Sequence, residues 1–152
     1  MGDYLRATRE CTLRTLNPLL ATTIRAHIEK CELEDIETST LMCCETTATK
    51  QKKRLFGGKK EVIVTGVILT PQWLIWASEK ENKNLGVLSA RLRDIRVQDY
   101  EKTSMFEMMQ DTGLNISGLR TDTGPGSTFI GLGPEPAAQK FRAMLKEAIS
   151  EA

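Results

Sequence analysis

Between Lys50 and Lys60 the sequence reads KQKKRLFGGKK, and six of these residues are cations: Lys50, Lys52, Lys53, Arg54, Lys59 and Lys60. No carboxylate falls among them. Removing six from the 21 lysines and arginines leaves fifteen against 20 carboxylates, so a net charge of +1 conceals a basic loop on an acidic body. Chemistry of this kind attracts anions. Near an anionic membrane each lysine or arginine is worth about 1 kcal/mol before screening, so six would supply roughly 3 to 5 kcal/mol in practice. Leu55 and Phe56 sit at the centre of the run. Their insertion would add roughly 1.5 to 3 kcal/mol apiece, enough together for reversible peripheral binding. The alternative is that both tuck back on the fold while the lysines keep a hairpin soluble.

The other reactive side chains are sparse. His27 and Cys31 lie four apart on a predicted helix and would offer zinc two ligands, with Cys43 or Cys44 as a third. Structural zinc sites keep a tighter cadence, so a surface histidine and a half-buried thiol are the reading taken, with no metal or cofactor expected. Cys11, Cys31, Cys43 and Cys44 show no CxxC spacing. Cys43 and Cys44 are neighbours on a predicted strand and point to opposite faces, so reduced thiols are expected. The single histidine has no serine or cysteine elbow near it, no phosphate-cradling GxxxxGK[ST] occurs, and Asp94 and Asp99 read as solvated strand-end residues. No catalytic residue is assigned, and the chain is expected not to be an enzyme. Nucleic acid would feel the same cations, but both tryptophans belong to the core, leaving no platform on which bases could stack.

The elements that must carry the basic loop are organised around Glu61 to Ser78, EVIVTGVILTPQWLIWAS. β-branched and aromatic residues favour pleated backbone, and Pro71, which cannot donate to a ladder, belongs at the turn. The result is a hairpin apolar on both faces, which needs cover on both. Upstream, residues 3 to 16 give a weak helical pattern. Asn17-Pro18 is a helix start, and Leu20, Ile24, Ile28 and Cys31 repeat at fours to about residue 32. The acidic run Glu32 to Glu37 ends that helix. Residues 38 to 49 read as a strand. Further strands are expected over 85 to 91, 95 to 100, 113 to 119 and 127 to 132. Met105, Phe106, Met108 and Met109 form either a lid on the sheet or an adaptable contact surface. An amphipathic helix follows Pro134 and Pro136, with Ala138, Phe141, Leu145, Ala148 and Ile149 on its apolar face.

A chain of 152 residues buries enough surface for one core without staples. No apolar run reaches the ~20 residues of a membrane span, and MGDYLRATRE has no signal-peptide core, so a cytoplasmic protein is expected, in part peripheral at the inner face of the membrane. Two segments are expected: residues 1 to 37 as an N-terminal helical extension, and residues 38 to 152 as a mainly β domain with helices.

The order of elements resembles the pleckstrin-homology (PH) superfold, in its bacterial PH and GRAM-like branches. The resemblance rests on GVILTPQWLIW (Gly66 to Trp76), VLSARLRDIRV (Val87 to Val97) and the Phe-bearing terminal helix after Thr128-Phe129-Ile130. It implies an α+β fold, a seven-stranded antiparallel barrel closed by the C-terminal helix. It also implies a non-catalytic module whose first hairpin loop holds lipid phosphates, the place where Lys50 to Lys60 fall. In such pockets a basic residue sits well back on the first strand, where this chain has Thr46 to Thr49. Attraction to an anionic surface is therefore expected rather than a stereospecific headgroup site, the alternative being a protein-binding scaffold with no lipid role.

Overall fold

The computed structural model describes residues 4–33, 35–51 and 60–152. Among the described residues, eight strands form two antiparallel sheets. The first is a five-stranded meander: β1 (Leu5–Cys11), β2 (Met42–Gln51), β3 (Lys60–Leu69), β4 (Trp73–Lys80) and β5 (Lys83–Arg91), in sequential order. The second holds β6 (Arg96–Asp99), β7 (Gly113–Thr121) and β8 (Gly124–Gly131). Helix α1 (Pro18–Lys30) and the single turn α2 (Ile36–Ser39) lie between β1 and β2, α3 (Met105–Met108) precedes β7, and α4 (Pro136–Glu151) closes the chain.

The predicted hairpin is the middle of the large sheet, and its double-sided apolarity has a structural cause. Alternate residues enter two separate cores. Met42, Cys44, Val67, Leu69, Leu74 and Trp76 pack with β6–β8 and with Phe141 and Leu145 of α4. Cys43, Ile68, Ile75 and Ala77 point the other way, onto Leu16, Leu20, Ala21 and Ile24 at α1. The five-stranded sheet is thus a middle layer, with a helix on one side and a sheet plus helix on the other. Thr70 sets the turn, its Oγ1 accepting from the backbone N–H of Gln72 and Trp73 at 3.2 and 2.8 Å.

Two expectations need correction. Residues 5 to 11 form a strand where a helical pattern was read, because the residue that fixes them is polar. Buried Thr8 pairs its hydroxyl with that of Thr46 at 2.7 Å and accepts the N–H of Gly133 at 2.9 Å, contacts that hydrophobic periodicity does not register. The expected seven-stranded barrel is also not formed: among the described residues there are eight strands, and the two sheets are not joined into a closed barrel. The chain passes from β5 to β6 through a 3₁₀ turn, Leu92–Asp94, so that Ala90 and Leu92 enter the shared core while β5 remains an outer strand of its sheet.

The two borders of the large sheet differ. Along β1, the Thr8 N–H donates to Glu135 Oε1 at 2.8 Å, Arg6 grips Asp111 with two hydrogen bonds of 2.9 and 3.0 Å, and Lys140 reaches Glu10 at 3.0 Å. On β5, Leu85 and Leu88 are exposed, and a register shift opposite Ser78 and Glu79 breaks the ladder.

Helix α1 follows its expected start: Asn17 Oδ1 accepts from Leu19 and Leu20, and Pro18 takes the first helical position. The helix ends at Lys30, with Glu32 at φ 53°. Helix α4 is tied to the small sheet by charge: Arg142 Nη1 lies 2.9 Å from Asp99 Oδ1 and 2.8 Å from Glu101 Oε2, and Lys146 reaches Asp99 at 2.8 Å. Burial alone would raise the Asp99 carboxyl, but hydrogen bonds from Lys146 and Arg142 and their charges outweigh it and hold the group below its ordinary value.

Candidate functional site

Antiparallel order decides which turns share an end of the large sheet. The β2–β3 and β4–β5 connections leave from one end, and the β3–β4 turn from the other. At the first end Lys50 faces Glu61 and Gln51 faces Lys60 across β2 and β3, while Lys80 faces Lys83 across β4 and β5. The β4–β5 turn is the two-residue Glu81-Asn82, both at positive φ (53° and 62°), as tight hairpins require. Glu79 fastens it by accepting the Asn82 N–H at 2.8 Å.

These cations are not equivalent. Lys80 is 3.0 Å from Glu61, which also accepts from the Tyr4 hydroxyl at 3.3 Å, and Lys50 Nζ sits 5.6 Å from the centre of the Tyr4 ring. Lys60 and Lys83 are exposed. At the same end of the sheet but on its β1 border, opposite Thr49, Leu5 is 80% exposed. Of the residues singled out in the sequence, Lys50 and Lys60 therefore flank this end. Lys52, Lys53, Arg54, Leu55, Phe56 and Lys59 lie outside the described residues.

Sequence reasoning missed Leu5, Lys80 and Lys83. EKENKN, residues 79 to 84, signalled only a polar turn, and nothing in one strand's text tells which turns of a meander meet.

The reactive side chains are dispersed. His27 Nε2 lies 2.8 Å from Ser89 Oγ, linking α1 to β5, and Cys31 Sγ is 3.8 Å from either ring nitrogen. Desolvation, with Lys30 adding to it, lowers the imidazole below its ordinary value, so the ring is neutral and serves as a hydrogen-bonding strut. Cys43 and Cys44 point into opposite cores, as adjacent strand residues must. Among the described residues no three histidines, cysteines or carboxylates gather as metal ligands. Asp94 is exposed, whereas Asp99, read in the sequence as solvated, is half-buried in the Arg142 cluster.

The methionine segment is anchored on one side and exposed on the other. Phe106 packs edge-on to Tyr100 at 6.3 Å, and the Tyr100 hydroxyl donates to the Met109 carbonyl at 2.5 Å, so the backbone is anchored. Met105, Met108 and Met109 nevertheless face solvent, Met108 at 82% exposure. Among the described residues no helix is long and apolar enough to cross a membrane.

Compared with protein-family models, with curated proteins and with solved structures, the chain matches none.

Proposed function

We propose that the chain is a non-catalytic binding module that docks on anionic membrane surfaces through the sheet end carrying residues 50 to 60. The observation that carries the reading is that exposed Leu5, Lys60 and Lys83, on β1, β3 and β5, all lie at the sheet end where β2 and β3 deliver the basic connection. Cations and an apolar side chain at one end of a sheet combine attraction to anionic headgroups with shallow insertion. Kinship with the PH superfold is part of the same proposal. It is supported by the layout of four strands (β2–β5), then three (β6–β8), then a terminal helix, with β1 and α1 as additions.

Sedimentation with vesicles tests it. At low salt the protein should pellet with vesicles rich in phosphatidylserine and not with phosphatidylcholine alone. Lys60→Ala with Lys83→Ala should weaken that binding roughly tenfold or more, at about 1 kcal/mol per cation before screening. Replacing Lys52, Lys53 and Arg54 by Ala should weaken it further. Failure of the unaltered protein to bind anionic vesicles at low salt overturns the proposal.

The exposed Met105, Met108 and Met109 favour a second reading, a protein-binding scaffold, since methionines form adaptable contact surfaces. A partner retained after the lysine substitutions, but lost when Met108 and Met109 become Ser, would support it.

A further inference from the structure

Cys11 and Cys43 stand directly opposite each other on β1 and β2, and their sulfurs are 3.1 Å apart. Both are free thiols. Directly opposed residues of an antiparallel pair have Cα atoms about 4.5 to 5.5 Å apart, inside the range a disulfide spans, so bond formation requires little backbone movement. The two thiols also differ in setting. Cys43 is buried against the α1 core, whereas Cys11 is partly exposed at the end of β1; both line a surface depression of about 480 Å³ with Thr12, Leu13, Arg14 and Leu41.

We infer that Cys11 and Cys43 are a reversible oxidation site, closed to a cross-strand disulfide by a hydroperoxide. The roles follow from the geometry. Cys11 is the more exposed thiol and shares a face of β1 with Arg9, two residues away, so it is the attacking group; Cys43, buried and 3.1 Å from it, is the resolving one. Electrostatics agree: the hydrogen bond from Cys43, aided by the Arg9 charge, lowers the Cys11 thiol, while the same bond and burial push Cys43 up. The Cys11 thiolate attacks the distal peroxide oxygen, the O–O bond breaks, and hydroxide or an alkoxide departs, taking up from solvent the proton the thiol had released and leaving as water or an alcohol, with Cys11 as the sulfenic acid. The Cys43 sulfur then attacks the Cys11 sulfur, the S–O bond breaks, and hydroxide leaves with the Cys43 proton as water. Two thiols lose two electrons and one peroxide gains them. A dithiol reverses the change by exchange.

Cys44 is a built-in comparison. It is one residue from Cys43 but faces the other core, where burial pushes its thiol up to about 12, so it should stay reduced.

The experiment uses the reduced full chain treated with hydrogen peroxide, unfolded in an alkylating agent and digested without reductant for mass spectrometry. The expected product is one cross-linked peptide joining Cys11 to Cys43, with Cys44 alkylated and the link removed by dithiothreitol. Cys31→Ser should leave the product unchanged. Cys43→Ser should abolish it and leave a sulfenic acid at Cys11 that dimedone traps. If Cys11 and Cys43 both remain alkylatable while peroxide is consumed at Cys31 or at methionines, the inference fails; it fails equally if the link joins Cys31. The unaltered chain alone decides between these outcomes, so a variant that does not fold leaves the test intact.

Discussion

Replacing Arg142 by Met should expose how far charge, as opposed to packing, fixes α4 on the small sheet. The Arg142 side chain is only 10% exposed and bridges Asp99 (12%) and Glu101 (31%). Removing one partner of a buried ion pair costs about 3–5 kcal/mol, chiefly because the other charge stays buried. Here Lys146 still meets Asp99 at 2.8 Å, and Glu101 keeps the Gly113 N–H at 2.7 Å, so the low end applies, about 3 kcal/mol at pH 7. In a domain of this size that is a fall in Tm of roughly 6 to 12 °C. Acid gives the sharper test. The folded-state pKa of Asp99 is depressed, so its stabilisation is complete above the unfolded carboxylate value near ~4 and is lost as pH falls through the lower folded value. Without Arg142 that depression shrinks, and the gap between the two proteins should narrow from pH 7 towards pH 2.5. Urea unfolding across that range, with Tm in parallel, measures it. A gap that stays constant with pH, or one below about 1 kcal/mol at pH 7, would refute the electrostatic account and leave only the lost packing of the arginine stem.

Gly118 sits in the β7 bulge at φ +86°, and a Cβ there would lie 2.4 Å from the Asp94 carbonyl oxygen. Gly118→Ala should cost about 2–3 kcal/mol in chemical denaturation, more than Gly124→Ala, whose site at φ +119° has no atom within 4 Å of the added carbon. Thr70→Val removes the acceptor for two turn N–H groups and should cost about 1–3 kcal/mol, with faster hydrogen exchange at the Gln72 and Trp73 amides as its local signature.

Elements whose stability comes from local pattern were readable without coordinates. The Asn17-Pro18 start of α1, the Thr-Pro-Gln turn of the central hairpin and the apolar stripe of α4 each announce themselves within a few residues. Even the demand for cover on both faces of that hairpin was legible, though not which elements supply it. β1 was not. Its sequence, LRATREC, is held by Thr8, Arg6 and Glu10 acting on partners from residue 46 to residue 140, and long-range polar contacts leave no periodic trace. Sheet closure was misread for a related reason: strand count and apolarity do not say whether β5 turns to pair with its successor or the chain swings away through Leu92–Asp94. The candidate site divides in the same way. Its lysine run is visible as composition, but Leu5 and Lys83 join Lys60 only through the order of strands, and Cys11 meets Cys43 only through their register.

The guarded β1 border limits how copies of this chain can associate. Growth without end by strand addition needs two complementary open borders on each sheet, so that every newcomer offers what the next requires. With the Glu135 carboxylate already holding the Thr8 amide, the large sheet is, among the described residues, more open to such pairing along β5 than along β1. Two copies pairing β5 against β5 would use up that border in both, so the side chain that fastens the last helix to the first strand would also count against continued growth along the large sheet.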